Sequence, residues 1–471
     1  MRNSEDKKIF SFLTLFFLIF YTLQIPLHTS KPDVVVFAMR ALSKLPILNY
    51  AYLAPNTLIE GTALPNYHLG HTLILWLAYH LAPASLSNSI WLSGFVSSIC
   101  GALIVGLTFL IWKELGIDKK KSVIIAFTVG FIPSIWEESL IGEIYAMQLL
   151  FILLFVYSFL RNKIFISIIT FTFANLISPL SGLSFGLLLL KPWHKNTLKK
   201  IFLIGGVSLA VYLLIYFLIG SNLLNLLNPL STEQEGRGII YRIVVLIVFI
   251  ILNFNFFSLY LYKGLKETFK AEKEKITKLL LATLPQLLLL FLGSTFFIEL
   301  GSFQLPIFWA LAFPLGYYLS TINFRNLYFA LSFMGLVILS YTLWIYPNTK
   351  IGSSREAAGK WLKKKGYDNI SIIGSWEPGI NVLYGRDGFN LAELNKYYFD
   401  APFPSENEIK CTKKDSVLIV SQKKTPLRIL FSYLHITSMN IPKYEPKRKI
   451  KTGIISKLYE NDSVLLYKWK K

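Results

Sequence analysis

Residues 28–82 read HTSKPDVVVFAMRALSKLPILNYAYLAPNTLIEGTALPNYHLGHTLILWLAYHLA, with Asp33 and Glu60 as the only acids. The stretch follows an apolar run, Ile9 to Ile25, behind Lys7 and Lys8, and no small-residue cleavage site comes after that run. The run therefore reads as a retained anchor with a cytoplasmic N-terminus, and residues 28–88 read as a large outer loop. Everything downstream turns on whether His71 to Pro83 crosses a bilayer. Thirteen residues at about 1.5 Å each reach roughly 20 Å, against a hydrocarbon thickness near 30 Å. The segment is too short, and it reads as an outer-face helix lying in the interface, with His71, Trp76, Tyr79 and His80 as amphipathic anchors.

That choice assigns a side to every later loop. Ser89 to Trp112 runs inward to Lys113 and Lys119–Lys121, Ser122 to Ile135 returns to the acidic turn WEESLIGE, and Ile144 to Leu160 comes back to Arg161 and Lys163. Ile164–Ile177 and Gly182–Leu190 read as a short re-entering pair broken at Ser178 and Pro179. Ile201–Ile219, Ile239–Tyr262, Leu279–Ile298, Leu305–Leu319 and Leu327–Tyr346 complete the count. Nearly all clustered basic residues fall on one side, as the positive-inside rule demands. The expected fold is an α-helical polytopic membrane protein with about eleven transmembrane helices over residues 1–346.

Composition agrees with that class. The chain of 471 residues is 54% hydrophobic and 15% aromatic, more than a soluble core needs. Its formal charge of +21 belongs to cytoplasmic loops and anionic headgroups rather than to nucleic acid. Cys100 and Cys411 offer neither a disulfide framework nor a cysteine metal site. Beyond Tyr346 the composition changes. SREAAGKWLKKKG has helical spacing and a terminal glycine, NISIIGS, DSVLIVS and SVLLYKW are short strand-like runs, and WEPGINVLYGR opens a helix at Pro378. Residues 347–471 therefore read as a soluble extracytoplasmic α/β domain. It contains no phosphate-binding or nucleophile-elbow motif.

Several polar groups fall on the outer side. Asp33 either caps the helix VVVFAMRAL or serves as a base. Glu137 and Glu138 read as interfacial charges, whereas Glu143, heading a span before Ile144 and Tyr145, is placed to point into a cavity. A bundle could bring Asp33 and Glu143 to one water-accessible cavity. His68 and His71 lie three residues apart and could share a helix face. No HExxH pattern is present, and a divalent metal is neither required nor excluded. Arg237 and Arg242, beside the loop Gly220–Gly238, and Arg40 are among the few outer basic residues, suited to a phosphate or to headgroup snorkelling. The spans carry almost no ionisable residues away from their ends, which argues against the alternative of a transporter or lipid-linked-glycan flippase with an outer accessory domain.

The order of these motifs resembles the GT-C membrane glycosyltransferases, in particular the protein O-mannosyltransferase and aminoarabinose-transferase superfamily with its TMEM-type mannosyltransferase branch. In that superfamily an aspartate opens the first outer loop, a proline-rich segment leads a juxtamembrane helix, and an acid sits at the next outer turn. Here Asp33 in DVVVFAMRAL, Pro65 and Tyr67 in LPNYHLGH, and Glu143 in GEIYAM resemble those features, and NLISPLSGLSFGLLLL is similar to the short hairpin that follows. The likeness covers roughly residues 9 to 200. It departs at Pro65-Asn66-Tyr67, a reduced form of the proline motif, and in lacking the acidic pair beside the aspartate. What the resemblance implies is sugar transfer from a polyprenyl-phosphate donor to a protein, lipid or glycan acceptor at the outer face of the cytoplasmic membrane. Asp33 and Glu143 would be catalytic, and Arg40, Tyr67, His68, His71, Glu138, Tyr145, Arg237 and Arg242 would bind substrate.

Overall fold

A computed structural model of the chain describes residues 4–29, 31–42, 56–57, 68–82, 89–191, 195–218, 239–292, 304–322, 327–374, 376–388, 398–400, 416–422 and 454–470. Tyr67 and Arg237 lie outside the described residues. Of Arg40 and Arg242 the backbone alone is described. The chain forms two compact units. One comprises Met1–Ile25, Tyr67–His71 and Gly94–Trp344, the other Pro26–Asn66, Thr72–Ser93 and Ile345–Lys471.

The first unit is helical because its sequence is a succession of apolar runs punctuated by Gly, Pro, Asn and charge. Among the described residues the chain runs in order through α1 (Ser4–Thr22), then α2 (Pro32–Leu42) and strand β1 (Asn56–Thr57) of the second unit, then α3 (Leu69–Leu81), α4 (Ser89–Glu114), α5 (Lys119–Gly130), α6 (Pro133–Glu138), α7 (Ile144–Leu160) and α8 (Ile164–Ile177). A 3₁₀ segment, Pro179–Leu190, precedes α9 (Lys195–Leu218), α10 (Ile239–Phe254), α11 (Ser258–Ala271), α12 (Lys273–Leu292), α13 (Leu305–Leu319) and α14 (Leu327–Ser340). Among the described residues Ser89–Glu114, Asn196–Leu218 and Leu246–Ala271 are long and apolar enough to cross a membrane, and five shorter apolar helices accompany them. Outward faces of α1 and α9 are apolar too: Phe12, Leu15, Phe202, Phe217 and Leu218 are each more than half exposed. Faces of this kind are stable against hydrocarbon and costly in water.

Packing inside the unit is aromatic. Trp112 of α4 stacks on Phe313 of α13 with ring centroids 4.1 Å apart, and Trp309 donates to Thr108 Oγ1 at 2.9 Å. The expected span Ile239–Tyr262 carries a local interruption. Asn255 takes the left-handed conformation (φ 47°), which Asn tolerates better than most residues, and a 3₁₀ turn divides α10 from α11.

Polar contacts gather at one end of this bundle. Lys119 at the start of α5 pairs with Glu5 at the start of α1, and Arg161 at the end of α7 pairs with Glu114 at the end of α4. Lys191 donates to Asn162 Oδ1 at 2.7 Å, and Lys121 Nζ lies 4.0 Å from the centre of the Tyr317 ring. The basic loops singled out in the sequence thus meet in space.

Among the described residues the second unit is built on a six-stranded sheet of order β1-β3-β2-β4-β6-β5, with β2 (Ser371–Gly374), β3 (Tyr398–Asp400), β4 (Ser416–Gln422), β5 (Ile454–Glu460) and β6 (Val464–Lys470). The first four strands in that order are parallel, and β4, β6 and β5 pair antiparallel. Strand β1, from the large loop, pairs with β3 through Asn56 and Phe399. Helices α15 (Tyr346–Lys364) and α16 (Trp376–Asp387) pack on each other, and α2 packs on α16. The helix expected to open at Pro378 begins two residues earlier, at Trp376.

Candidate active site

The acidic turn of the first unit is tied to three other helices. Helix α5 ends at Gly130, Ile132 is extended, and Pro133 starts α6, where its missing N–H costs nothing. Three helices then fix the turn by hydrogen bonds. Tyr21 of α1 donates to the Gly130 carbonyl at 2.7 Å, Ser98 of α4 donates to the Ser139 carbonyl at 2.9 Å, and Asn253 of α10 accepts from the Ser134 N–H at 3.0 Å. Close approach of α4 depends on small residues: a methyl group at Gly101 would meet the Ser139 hydroxyl.

Held in this way, Glu137, Glu138 and Glu143 are 7%, 0% and 3% exposed. The reading of Glu137 and Glu138 as interfacial charges is therefore corrected: both belong to the interior. Carboxylates are rarely buried in an apolar bundle, and three within seven residues mark this turn as the candidate site. Glu143 occupies the N-cap position of α7 in extended conformation (φ −82°, ψ 169°) and makes no side-chain cap bond there. Its carboxylate nonetheless sits at the positive end of a 17-residue helix. Tyr145, in the first turn of α7, is buried beside it in sequence.

His68 meets the far end of α8. His68 donates through Nδ1 to the Ile177 carbonyl at 2.7 Å, where α8 gives way to Pro179, and Gly70 lets α3 approach the Ile177 backbone. His71, one turn further, is fully buried, so it is no interfacial anchor. Tyr79 is also buried and bonds Ser93 Oγ at 2.5 Å, which leaves the exposed His80 and the half-buried Trp76 as the amphipathic positions of α3.

Asp33 lies in the second unit, in the first turn of α2 directly after Pro32, and is half-buried. A carboxylate there gains from the helix N-terminus. Arg40 is seven residues along the same helix, and Arg242 is in the first turn of α10. Sequence reasoning had not singled out Asn253, Ser98 or Tyr21. The one signal available was the lone amide of Asn253 inside the apolar run IVFIILNF.

An apolar cavity of about 420 Å³ adjoins Asn253, lined by Phe127, Phe131, Phe254, Phe257, Phe329 and Phe333 among others. Among the described residues no three His, Cys, Asp or Glu side chains come together as a metal-holding group.

No protein-family model matches the chain, and no curated protein matches it by sequence. Solved structures do. The structure is similar to that of ArnT from Cupriavidus metallidurans bound to undecaprenyl phosphate, with a TM-score of 0.59 at 11% identity over 98% of this chain and 97% of that one. It is also similar to the oligosaccharyltransferase AglB from Archaeoglobus fulgidus in complex with an inhibitory peptide and a dolichol-phosphate, with a TM-score of 0.54 at 14% identity over 89% of this chain and 69% of that one. At these identities the likeness is one of fold, and the fold is that of GT-C glycosyltransferases, as the order of sequence motifs implied.

Proposed function

We propose, from the GT-C glycosyltransferase fold that this chain shares over nearly its whole length, that it is an integral membrane glycosyltransferase using a polyprenyl-phosphate-linked sugar. The observation that carries this reading is the burial of Glu137, Glu138 and Glu143 in one turn of that fold, since ionisable groups inside an apolar bundle cluster at functional sites. The undecaprenyl phosphate and dolichol-phosphate bound by the two similar proteins support a lipid-phosphate donor, and the aromatic-lined cavity offers an isoprenoid chain an apolar surface.

In this reading residues 1–346 cross the membrane eleven times from a cytoplasmic N-terminus, and residues 347–471 are extracytoplasmic. Asp33 is the base. It takes the proton of an acceptor hydroxyl as that oxygen bonds to the anomeric carbon, and the bond from that carbon to the phosphate oxygen breaks. Polyprenyl phosphate departs with the bonding pair, and Arg40, Arg237 and Arg242 hold its charge. Glu143 orients the acceptor, with Tyr67, His68, His71, Glu138 and Tyr145 as substrate-binding side chains.

The test is an assay in membranes with a panel of radiolabelled polyprenyl-phosphate sugars. Label should move to an acceptor, with release of the lipid phosphate, for at least one donor. Passage of intact donor across proteoliposomes without cleavage would instead establish the transporter alternative.

A further inference from the structure

Two side chains from the C-terminal helices fasten the segment that leads into Asp33. Glu356 Oε2 of α15 stands 2.5 Å from His28 Nδ1, which donates to it, and Lys360 Nζ lies 2.5 Å from the other carboxylate oxygen. Asn381 Nδ2 of α16 donates to the Thr29 carbonyl at 2.5 Å, and both Asn381 and Thr29 are buried. Thr29 passes the constraint on, because its Oγ1 accepts from the Lys31 N–H at 3.1 Å immediately before α2 begins.

The fastening points are themselves rigid. Helices α15 and α16 cross at Gly359 and Gly385, where a methyl group would strike the Val382 or Glu356 carbonyl oxygen. Arg386 donates to the carbonyls of Tyr367 and Ile370 at 3.1 and 2.6 Å and so locks the end of α16 to the approach to β2. Beyond Asp33, Val34 to Ala38 are all buried and α2 rests on α16. Sheet, α16 and α2 thus form a continuous support ending at one carboxylate.

We propose that Glu356 and Asn381 are positioning residues for Asp33, which gives the C-terminal domain a direct part in the reaction. The inference rests on the reading of Asp33 as the base. A base must be held within about 0.5 Å of its productive position, and a displacement of about 1 Å can cost about 10²-fold in rate.

The experiment uses full-length protein in detergent or nanodiscs with Glu356→Ala, Asn381→Leu and the conservative Glu356→Gln, which keeps an acceptor for His28. Amide hydrogen exchange at residues 34–38 should rise at least tenfold in the first two, while exchange at Val417–Val420 stays at the native rate. Their kcat should fall about tenfold or more with KM for the lipid donor within about twofold, and Glu356→Gln should restore most of it. In an Asp33→Asn background neither substitution should lower the residual rate further. Unchanged exchange at residues 34–38, an unchanged kcat, or an equal loss in the Asp33→Asn background would each overturn the proposal. A native protein that transfers no sugar overturns the base reading and this role with it, yet exchange at residues 34–38 still tells whether the fastening itself exists.

Discussion

At the scale of single residues, the bundle buries polar groups and satisfies them from distant helices. Asn253 is 1% exposed, and its two ends are committed to the Ser134 N–H and the Phe249 carbonyl. Asn253→Leu keeps the volume and strands the Ser134 N–H in an apolar surrounding, a loss of about 1–3 kcal/mol. Thermal unfolding in detergent should record a lower midpoint, and an unchanged one would mean that the turn is held without this bond. Burial of Glu137 and Glu138 was not legible in the sequence, because WEE at the end of an apolar run has the composition of an ordinary interfacial turn. The backbone around them is fixed by Tyr21, Ser98 and Asn253, which are far away in the chain. Asp33 and Glu143 stand out in the sequence as rare acids at the edges of apolar runs, and their roles belong to the proposal.

At the scale of elements, close helix crossings are the points of least tolerance. Gly359 allows α15 to lie against Val382 and Arg386 of α16, so Gly359→Ala should push the pair apart and cost about 1–3 kcal/mol. The unfolding midpoint should fall, and an unaltered midpoint would show that the crossing can relax. Helix α7 matched its sequence reading from Ile144 to Leu160, since charge bounds a long apolar run on both sides. Strands β2, β4 and β6 were legible as β-branched runs between turn residues. Strands β1 and β3 were not, because two or three residues carry no period and exist only through their partners. The division of α10 from α11 was hidden for a similar reason. An Asn-Phe pair inside an apolar run shows no break until the backbone reaches φ 47° at Asn255.

At the scale of the whole molecule, ion pairs join the ends of α1 and α5 and of α4 and α7, Lys191 and Lys200 both reach Asn162, and the proposed topology puts these loops in the cytoplasm. A reporter fused after Lys121 should read cytoplasmic and one fused after Tyr346 external, and an external signal after Lys121 would invert the topology. The central claim is that Asp33 is the base of a lipid-phosphate-dependent sugar transfer. Its most direct measurement is the single-turnover rate of transfer by purified native protein and by Asp33→Asn at equal membrane insertion and saturating donor. The account predicts a fall of about 10²- to 10⁴-fold with folding intact, the range typical of a lost general base. An Asp33→Asn protein that inserts normally and transfers sugar at the native rate would contradict it and leave Asp33 as a helix-terminus charge alone.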